Sequence, residues 1–160
     1  MTTPAIFDKT DHQILKELQT DARLNAKQIA GRIGLSLTPT YERLKKIEQS
    51  GVVLRYVAVL DRDKIGKDIV ALIQVSLRLH SKTMIIDFEQ AVAAIPEVME
   101  CFHVAGNFDY SLKVVVSDMK CYQDFLSNKL AAIENIAHVQ SSFVMKEIKY
   151  QTAYDTDNKD

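Results

Sequence analysis

Residues Asn25 to Gly51, NAKQIAGRIGLSLTPTYERLKKIEQSG, read as two short helices joined by a Gly34-Leu35-Ser36 turn, with positive charge concentrated on the second. This is the pattern of a helix-turn-helix, whose second helix enters the major groove of duplex DNA. Asn25 and Gln28 form a capping-box pair, and Leu24 is placed to staple onto Ile29. Ile29, Ala30 and Ile33 share one stripe of the first helix, which Gly34 ends. Ser36 is placed to cap the second helix, and Pro39 lies in its first turn, where a missing N–H has no intrahelical partner to lose. Leu37, Tyr41, Leu44 and Ile47 are the expected buried stripe, and Gly51 is the expected stop. Upstream, Asp8 with Asp11 starts a further helix whose Ile14, Leu15 and Leu18 would pack on the pair. Three helices then make a small core.

Between Arg23 and Lys46 there are six basic residues against the single acid Glu42, the kind of cluster that phosphate attraction needs. Thr38, Thr40 and Arg43 fall off the expected stripe near the start of the second helix, where a docked helix presents side chains to base edges. Ser36 and Pro39 accompany them at that end, whereas Lys27, Lys45 and Lys46 are placed for phosphates. The competing reading is an αα-hairpin whose basic residues form a solvated face.

The rest of the chain is of a different character. Residues 1–62 hold ten basic and seven acidic side chains, whereas residues 63–160 hold ten and fourteen, so only the front half favours nucleic acid. An alternating pattern from Val52 to Leu60 predicts a strand, and the charged stretch Asp61 to Asp68 predicts a linker. The domain expectation is therefore 1–60 for DNA binding, 61–68 as linker, 69–150 as a second domain and 151–160 as a polar tail. No apolar run approaches the roughly 18 residues of a membrane span, and no signal-peptide pattern opens the chain, so a cytoplasmic protein is expected. Cys101 and Cys121 have no CxxC spacing and read as buried thiols, and the four histidines show no ligand spacing, so neither metal nor cofactor is expected.

After the linker the pattern becomes strand, helix, strand, strand, helix, strand. Ile69, Ala71, Ile73, Val75, Leu77 and Leu79 put one apolar face on the first strand. A helix follows with Ile85, Phe88, Val92 and Ile95, then strands Val98 to Val104 and Tyr110 to Val116. Asp118 is placed to cap a helix bearing Tyr122, Phe125, Leu126 and Leu130, and Val139 to Met145 is the last strand. The order is that of a split βαβ, ferredoxin-like α+β domain. Its second sheet face, with Val70, Leu72, Phe102 or Met99, and Val114 or Val115, is too apolar to be left wet, and a second copy of the chain is its expected cover.

The chain resembles the leucine-responsive regulatory protein/AsnC family of bacterial and archaeal transcription regulators, the feast/famine proteins, over about residues 6–150. The resemblance rests on Asp8-Lys-Thr-Asp11 with Ile14-Leu15, on Gly34-Leu-Ser36 with Thr38-Pro39 and Glu42-Arg43-Leu44, and on Gly51 through Tyr56, Ala58 and Asp61 to Gly66. It continues in Gly106-Asn-Phe-Asp109-Tyr110 and Asp118-Met119. It implies a winged helix-turn-helix joined to a ferredoxin-like sensing domain that dimerises through its sheet and assembles further, commonly into octamers. It also implies promoter binding at a palindromic operator, and an amino-acid effector bound between subunits. Leu37 and Tyr41 stand where some relatives have Pro and Leu, which leaves the DNA preference open.

The loop Gly106-Asn107-Phe108-Asp109-Tyr110 has the chemistry to hold such an effector, with backbone N–H groups for a carboxylate and Asp109 for an ammonium. A plain β-turn, with Asp109 accepting local hydrogen bonds, is the competing reading. The resemblance adds His103, Met119, Ser142 and Phe143 to the pocket. Two other classes remain at this point. One is an effector-independent architectural DNA-binding protein of the nucleoid type. The other is an enzyme, for which the second half offers no catalytic cluster in sequence.

Overall fold

A computed structural model describes residues 7–156. Residues 1–6 and 157–160, the outer ends of the expected first domain and tail, lie outside the described residues. The chain divides into two compact units, one taking the described residues up to Val59 together with those from Lys149 on, the other Leu60–Ile148.

The first unit is built on three helices, α1 (Lys9–Thr20), α2 (Ala26–Ile33) and α3 (Leu37–Gln49). Two of them start on complete capping boxes. In the α1 box, Asp8 and Asp11 exchange backbone-to-carboxylate bonds of 2.9 and 3.2 Å, and Asn25 and Gln28 do the same for α2 at 2.9 and 3.0 Å. Gly34 closes α2 in the left-handed conformation, φ 73°, which a side chain would resist. Ile14, Leu15, Leu18, Ile29 and Ile47 form the core, with Leu24, Ile33, Leu44 and Val53 packed around it.

Here α3 differs from its sequence reading. Leu37 and Tyr41 are exposed, at 51% and 60%, and Thr40 is fully buried. The inward stripe is Thr40, Leu44 and Ile47, so Leu44 and Ile47 stand as expected while Thr40 takes the place of Leu37 and Tyr41. Thr40 is tolerated inside because its hydroxyl donates to the Ser36 carbonyl at 2.9 Å, so no polar group is left without a partner. The same carbonyl accepts the Thr40 N–H, while the Ser36 side chain makes no cap bond.

The rotation of α3 is fixed by charge as much as by packing. Arg43 Nη1 donates to Asp8 Oδ2 at 2.6 Å and to Asp11 Oδ1 at 2.7 Å, and Lys46 Nζ lies 3.4 Å from Asp11 Oδ2. The capping acids of α1 thus also hold α3. Burial pushes the Asp11 carboxyl up, but the Arg43 guanidinium and the Asp8 amide outweigh it and hold it below the usual carboxylate range.

Val52–Leu60, expected as a strand, forms no strand among the described residues, and Val53 stands at a bend. Tyr56 ties the segment to α3 through a 3.0 Å hydrogen bond from its hydroxyl to Glu48. The stretch expected as a linker contains a 3₁₀ turn, Asp63–Ile65, closed by Gly66. The chain returns to the first unit at its C-terminal end. There the Gln19 amide group pairs with the Tyr154 backbone, accepting from its N–H at 2.7 Å and donating to its C=O at 3.1 Å.

The second unit is a four-stranded antiparallel sheet in the order β2-β3-β1-β4, made of β1 (Ile69–Leu77), β2 (Val98–His103), β3 (Tyr110–Val116) and β4 (Ile136–Phe143). Helices α4 (Lys82–Ala93) and α5 (Met119–Asp124) pack against it, and α5 continues as a wider π-helical turn, Phe125–Leu130. That widening sets Phe125 and Leu130, five residues apart, on the same buried side. Asp118 caps α5 by accepting from the Cys121 N–H at 2.8 Å. β4 begins three residues before the position expected from its alternation, because Ile136 already pairs with Leu77.

Strand alternation and register sort the two faces. Ala71, Ile73, Val75, Leu77, Leu112 and Val114 meet the helices. Val70 pairs with Val115 and Ser111 with Phe102, so Val70, Leu72, Phe102 and Val115 lie on the other face and Val114 does not. Both cysteines, expected inside, are exposed, since Cys101 sits on the edge strand β2 and Cys121 on the outer side of α5.

The clamp on Asp11 is testable through stability. Asp11 is ionised at neutral pH with its folded pKa depressed, so its contribution is complete above the unfolded value of about 4 and is lost as pH falls through the folded value. Arg43→Ala is expected to destabilise the helical unit by about 2 kcal/mol at pH 7, less than a fully enclosed pair because Arg43 keeps solvent access. Denaturation of parent and variant at pH 7 and pH 3 checks this, the difference shrinking at pH 3.

Candidate nucleic-acid interface and sensor site

With Thr40, Leu44 and Ile47 turned inward, helical spacing places Thr38, Glu42 and Lys45 on the outward face of α3, and Leu37 and Tyr41 are exposed along its flank. Ser36 precedes them, exposed, and Lys27 is exposed on α2. Of the residues expected to contact DNA, the structure therefore places Ser36, Thr38, Lys27 and Lys45 on the surface, with Pro39 half-buried at its margin. Thr40 is a correction, being fully buried with its hydroxyl satisfied internally. Arg43 is a second, since its guanidinium points to α1 and both carboxylates of the capping box. Lys46 is exposed but leans on Asp11. Sequence reasoning placed Tyr41 in the core because an aromatic at helical spacing reads as buried, whereas it is exposed. The signal that could have found it is the acid pair on α1, which demands a basic partner from α3 and so fixes which side faces inward.

In the second unit, His103, Asp109 and Tyr110 meet where β1 ends, β2 ends and β3 begins. The Asp109 carboxylate accepts from the Leu77 N–H at 2.7 Å and from His80 Nε2 at 2.9 Å. The Leu77 amide first, and then His80, hold its pKa below the usual range. Asp109 is thus committed to β1 and His80, which is neither the local turn acceptor nor the free counter-charge that the sequence suggested. Tyr110 is a correction as a pocket-lining residue. It is buried, its hydroxyl donates to Glu89 at 3.0 Å, and burial together with Glu89 raises its pKa far above normal. What Tyr110 offers is its ring, stacked under His103 at 4.7 Å between centroids. His103, Gly106 and Asn107 are exposed beside it, and Phe108 stacks on His138 at 6.1 Å. His80 and Glu89 complete this end of the sheet, and nothing in their sequence spacing announced them.

Met119, Ser142 and Phe143 stand elsewhere. Phe143 pairs with Ala71 near the start of β1 and packs edge-on against Tyr122 at 4.9 Å, and Met119 opens α5 just past the end of β3. By register Phe143 lies level with Val114 and Ser142 with Lys113, four and three residue steps along the sheet from Tyr110, roughly 13 and 10 Å at the usual strand rise, and Met119 lies beyond the end of β3. Within one chain the expected effector residues therefore do not form a single cluster.

Comparison with known proteins agrees with this division. Residues 7–53 match the model of the winged helix-turn-helix DNA-binding family, and residues 70–154 match that of the Lrp/AsnC ligand binding domain. The Bkd operon transcriptional regulator of Pseudomonas aeruginosa is 36% identical over 149 residues, covering 93% of this chain and 97% of the relative. The leucine-responsive regulatory protein of Escherichia coli is 32% identical, covering 89% of this chain and 87% of the relative. Among solved structures, a transcriptional regulator of Neisseria meningitidis in complex with L-Met is 37% identical, with a TM-score of 0.89 over 93% of this chain and 96% of that one. Two-module architecture, sheet order and these matches together make the chain a member of the Lrp/AsnC family of transcriptional regulators.

Proposed function

We propose that the protein regulates transcription by binding promoter DNA through α3 and responds to an amino acid held between subunits of its second unit. The observation that carries this is the pairing, in one chain, of a helix-turn-helix whose outward face is fixed by the Asp11 clamp with a family ligand-binding domain. The relative solved with L-Met supports an amino acid as the class of effector. His103 with the amides of Gly106, Asn107 and Phe108 forms one half of the site, Asp109 and Tyr110 bracing it from below. Met119, Ser142 and Phe143 of a neighbouring copy form the other half. The separation of the two groups within one chain is the reason the site needs two copies.

Assembly follows from the same reading. The sheet face carrying Leu72 and Phe102, both large and exposed, pairs with that of a second chain, and the dimers close into an octamer. A two-fold dimer matches a palindromic operator of two half-sites in the bacterial or archaeal cytoplasm, with no catalytic step involved. Light scattering at micromolar protein is expected to give a mass of at least two 18.1 kDa chains, and a monomer mass overturns the assembly.

Two measurements test the function. In a thermal-shift screen of the twenty amino acids, one or a few are expected to raise the melting temperature, since a ligand bound only by the native state adds about 2.7 kcal/mol at a hundredfold excess over Kd. His103→Ala is expected to abolish that shift while leaving effector-free DNA affinity unchanged, and a screen with no hit at millimolar concentration removes the sensing role. For DNA, Lys45→Ala is expected to weaken binding to all sequences alike and to reduce the slope of log affinity against log salt by about 1. An unchanged slope would take Lys45 out of the interface.

A further inference from the structure

Leu37, Thr38, Tyr41, Glu42 and Lys45 are exposed along the first three turns of α3, and Leu37 and Tyr41 are large and mostly apolar. Leu37 and Tyr41 are one helical turn apart and about half exposed, so they stand side by side on one flank of the outward face, at the N-terminal end of the helix. A single exposed apolar residue needs no explanation. Two adjacent ones, in the element that a DNA-binding unit presents to its target, are a different matter. The arginine that would ordinarily take guanine edges, Arg43, is held by Asp8 and Asp11 on the opposite flank of the helix. Lys45 lies two turns from Leu37, towards the end of the helix where backbone contacts fall.

We infer that the apolar pair Leu37 and Tyr41 reads thymine, by packing on its C5-methyl group in the major groove. This rests on the DNA-binding role proposed above and gives it a chemical specificity. The methyl is the apolar feature that distinguishes thymine in the major groove, and apolar side chains are its natural contacts. Glu42, beside Tyr41, adds a preference against guanine O6 and N7 nearby, because its carboxylate repels acceptors and accepts from the cytosine amino group. The half-site should therefore hold one or two thymines under the start of α3, where discrimination depends on a methyl group and is insensitive to Arg43 beyond its effect on folding.

The experiment uses the full chain. A preferred duplex is selected from a random DNA pool, and each thymine is then replaced singly by deoxyuridine, which removes the methyl and leaves every hydrogen-bonding group. At one or two positions per half-site the parent is expected to lose about fourfold in affinity, the value of one buried methyl. Leu37→Ala or Tyr41→Ala is expected to bind the thymine and uracil duplexes equally there, while Tyr41→Phe keeps the difference. Both positions are exposed, so melting temperatures of the variants should match the parent. If uracil costs the parent nothing at any position, or if both alanine variants keep the parent's thymine-to-uracil ratio, methyl reading by this pair is wrong. If selection enriches no sequence over the random pool, the DNA-reading role itself fails, and this assignment with it.

Discussion

The carboxylate of Asp11 is the point on which the helical unit turns. It is fully buried, which alone would make it a liability, yet every oxygen has a partner. Three jobs converge on it, namely completing the capping box of α1, receiving Arg43 from α3, and supporting Lys46. A buried ion pair contributes little net stability when compared with apolar packing, but breaking it is costly. Its effect here is geometric. With Arg43 anchored inward, Thr40 and Ile47 must follow it, and Leu37, Thr38, Tyr41 and Lys45 are left as the face available to a partner.

A similar economy governs the second unit. Asp109 spends its carboxylate on the Leu77 amide and on His80, joining the end of β1 to the start of β3. Tyr110, buried below, spends its hydroxyl on Glu89 of α4 and leaves only its ring to His103. This end of the sheet therefore presents an exposed imidazole over the buried Tyr110 ring, while the charges of Asp109 and Glu89 are engaged within the fold. The remaining expected contacts, Met119, Ser142 and Phe143, stand apart from this cluster.

The exposed stretches tell the same story of an incomplete molecule. Leu54, Val57, Val59 and Leu60 are largely exposed along a segment that forms no strand among the described residues, and Leu72 and Phe102 along a sheet face. Apolar surface of this extent is unusual on a lone soluble chain and fits one that works as an assembly.

Most of the architecture follows from local rules that a single sequence carries. Capping boxes at Asp8 and Asn25, the Gly34 turn, the Asp118 cap and the strict alternation of β1 and β3 each involve neighbours within four residues, or a period of two, so they are readable without a partner. The family-bearing motifs are of the same local kind. What the sequence left open depends on long-range contacts: Arg43 on Asp11, 32 residues away, and Asp109 on the Leu77 amide, also 32 away. Sequence placed Arg43 and Thr40 towards DNA and Tyr41 in the core because periodicity gives the width of an apolar stripe but not its phase to within one residue. The phase was decided by a buried charge on another helix, and the burial of Thr40 by a hydroxyl that found a carbonyl four residues back. Likewise the wider turn after α5, the start of β4 at Ile136 and the scatter of the expected effector residues over the sheet follow from packing and register, which only the folded chain fixes.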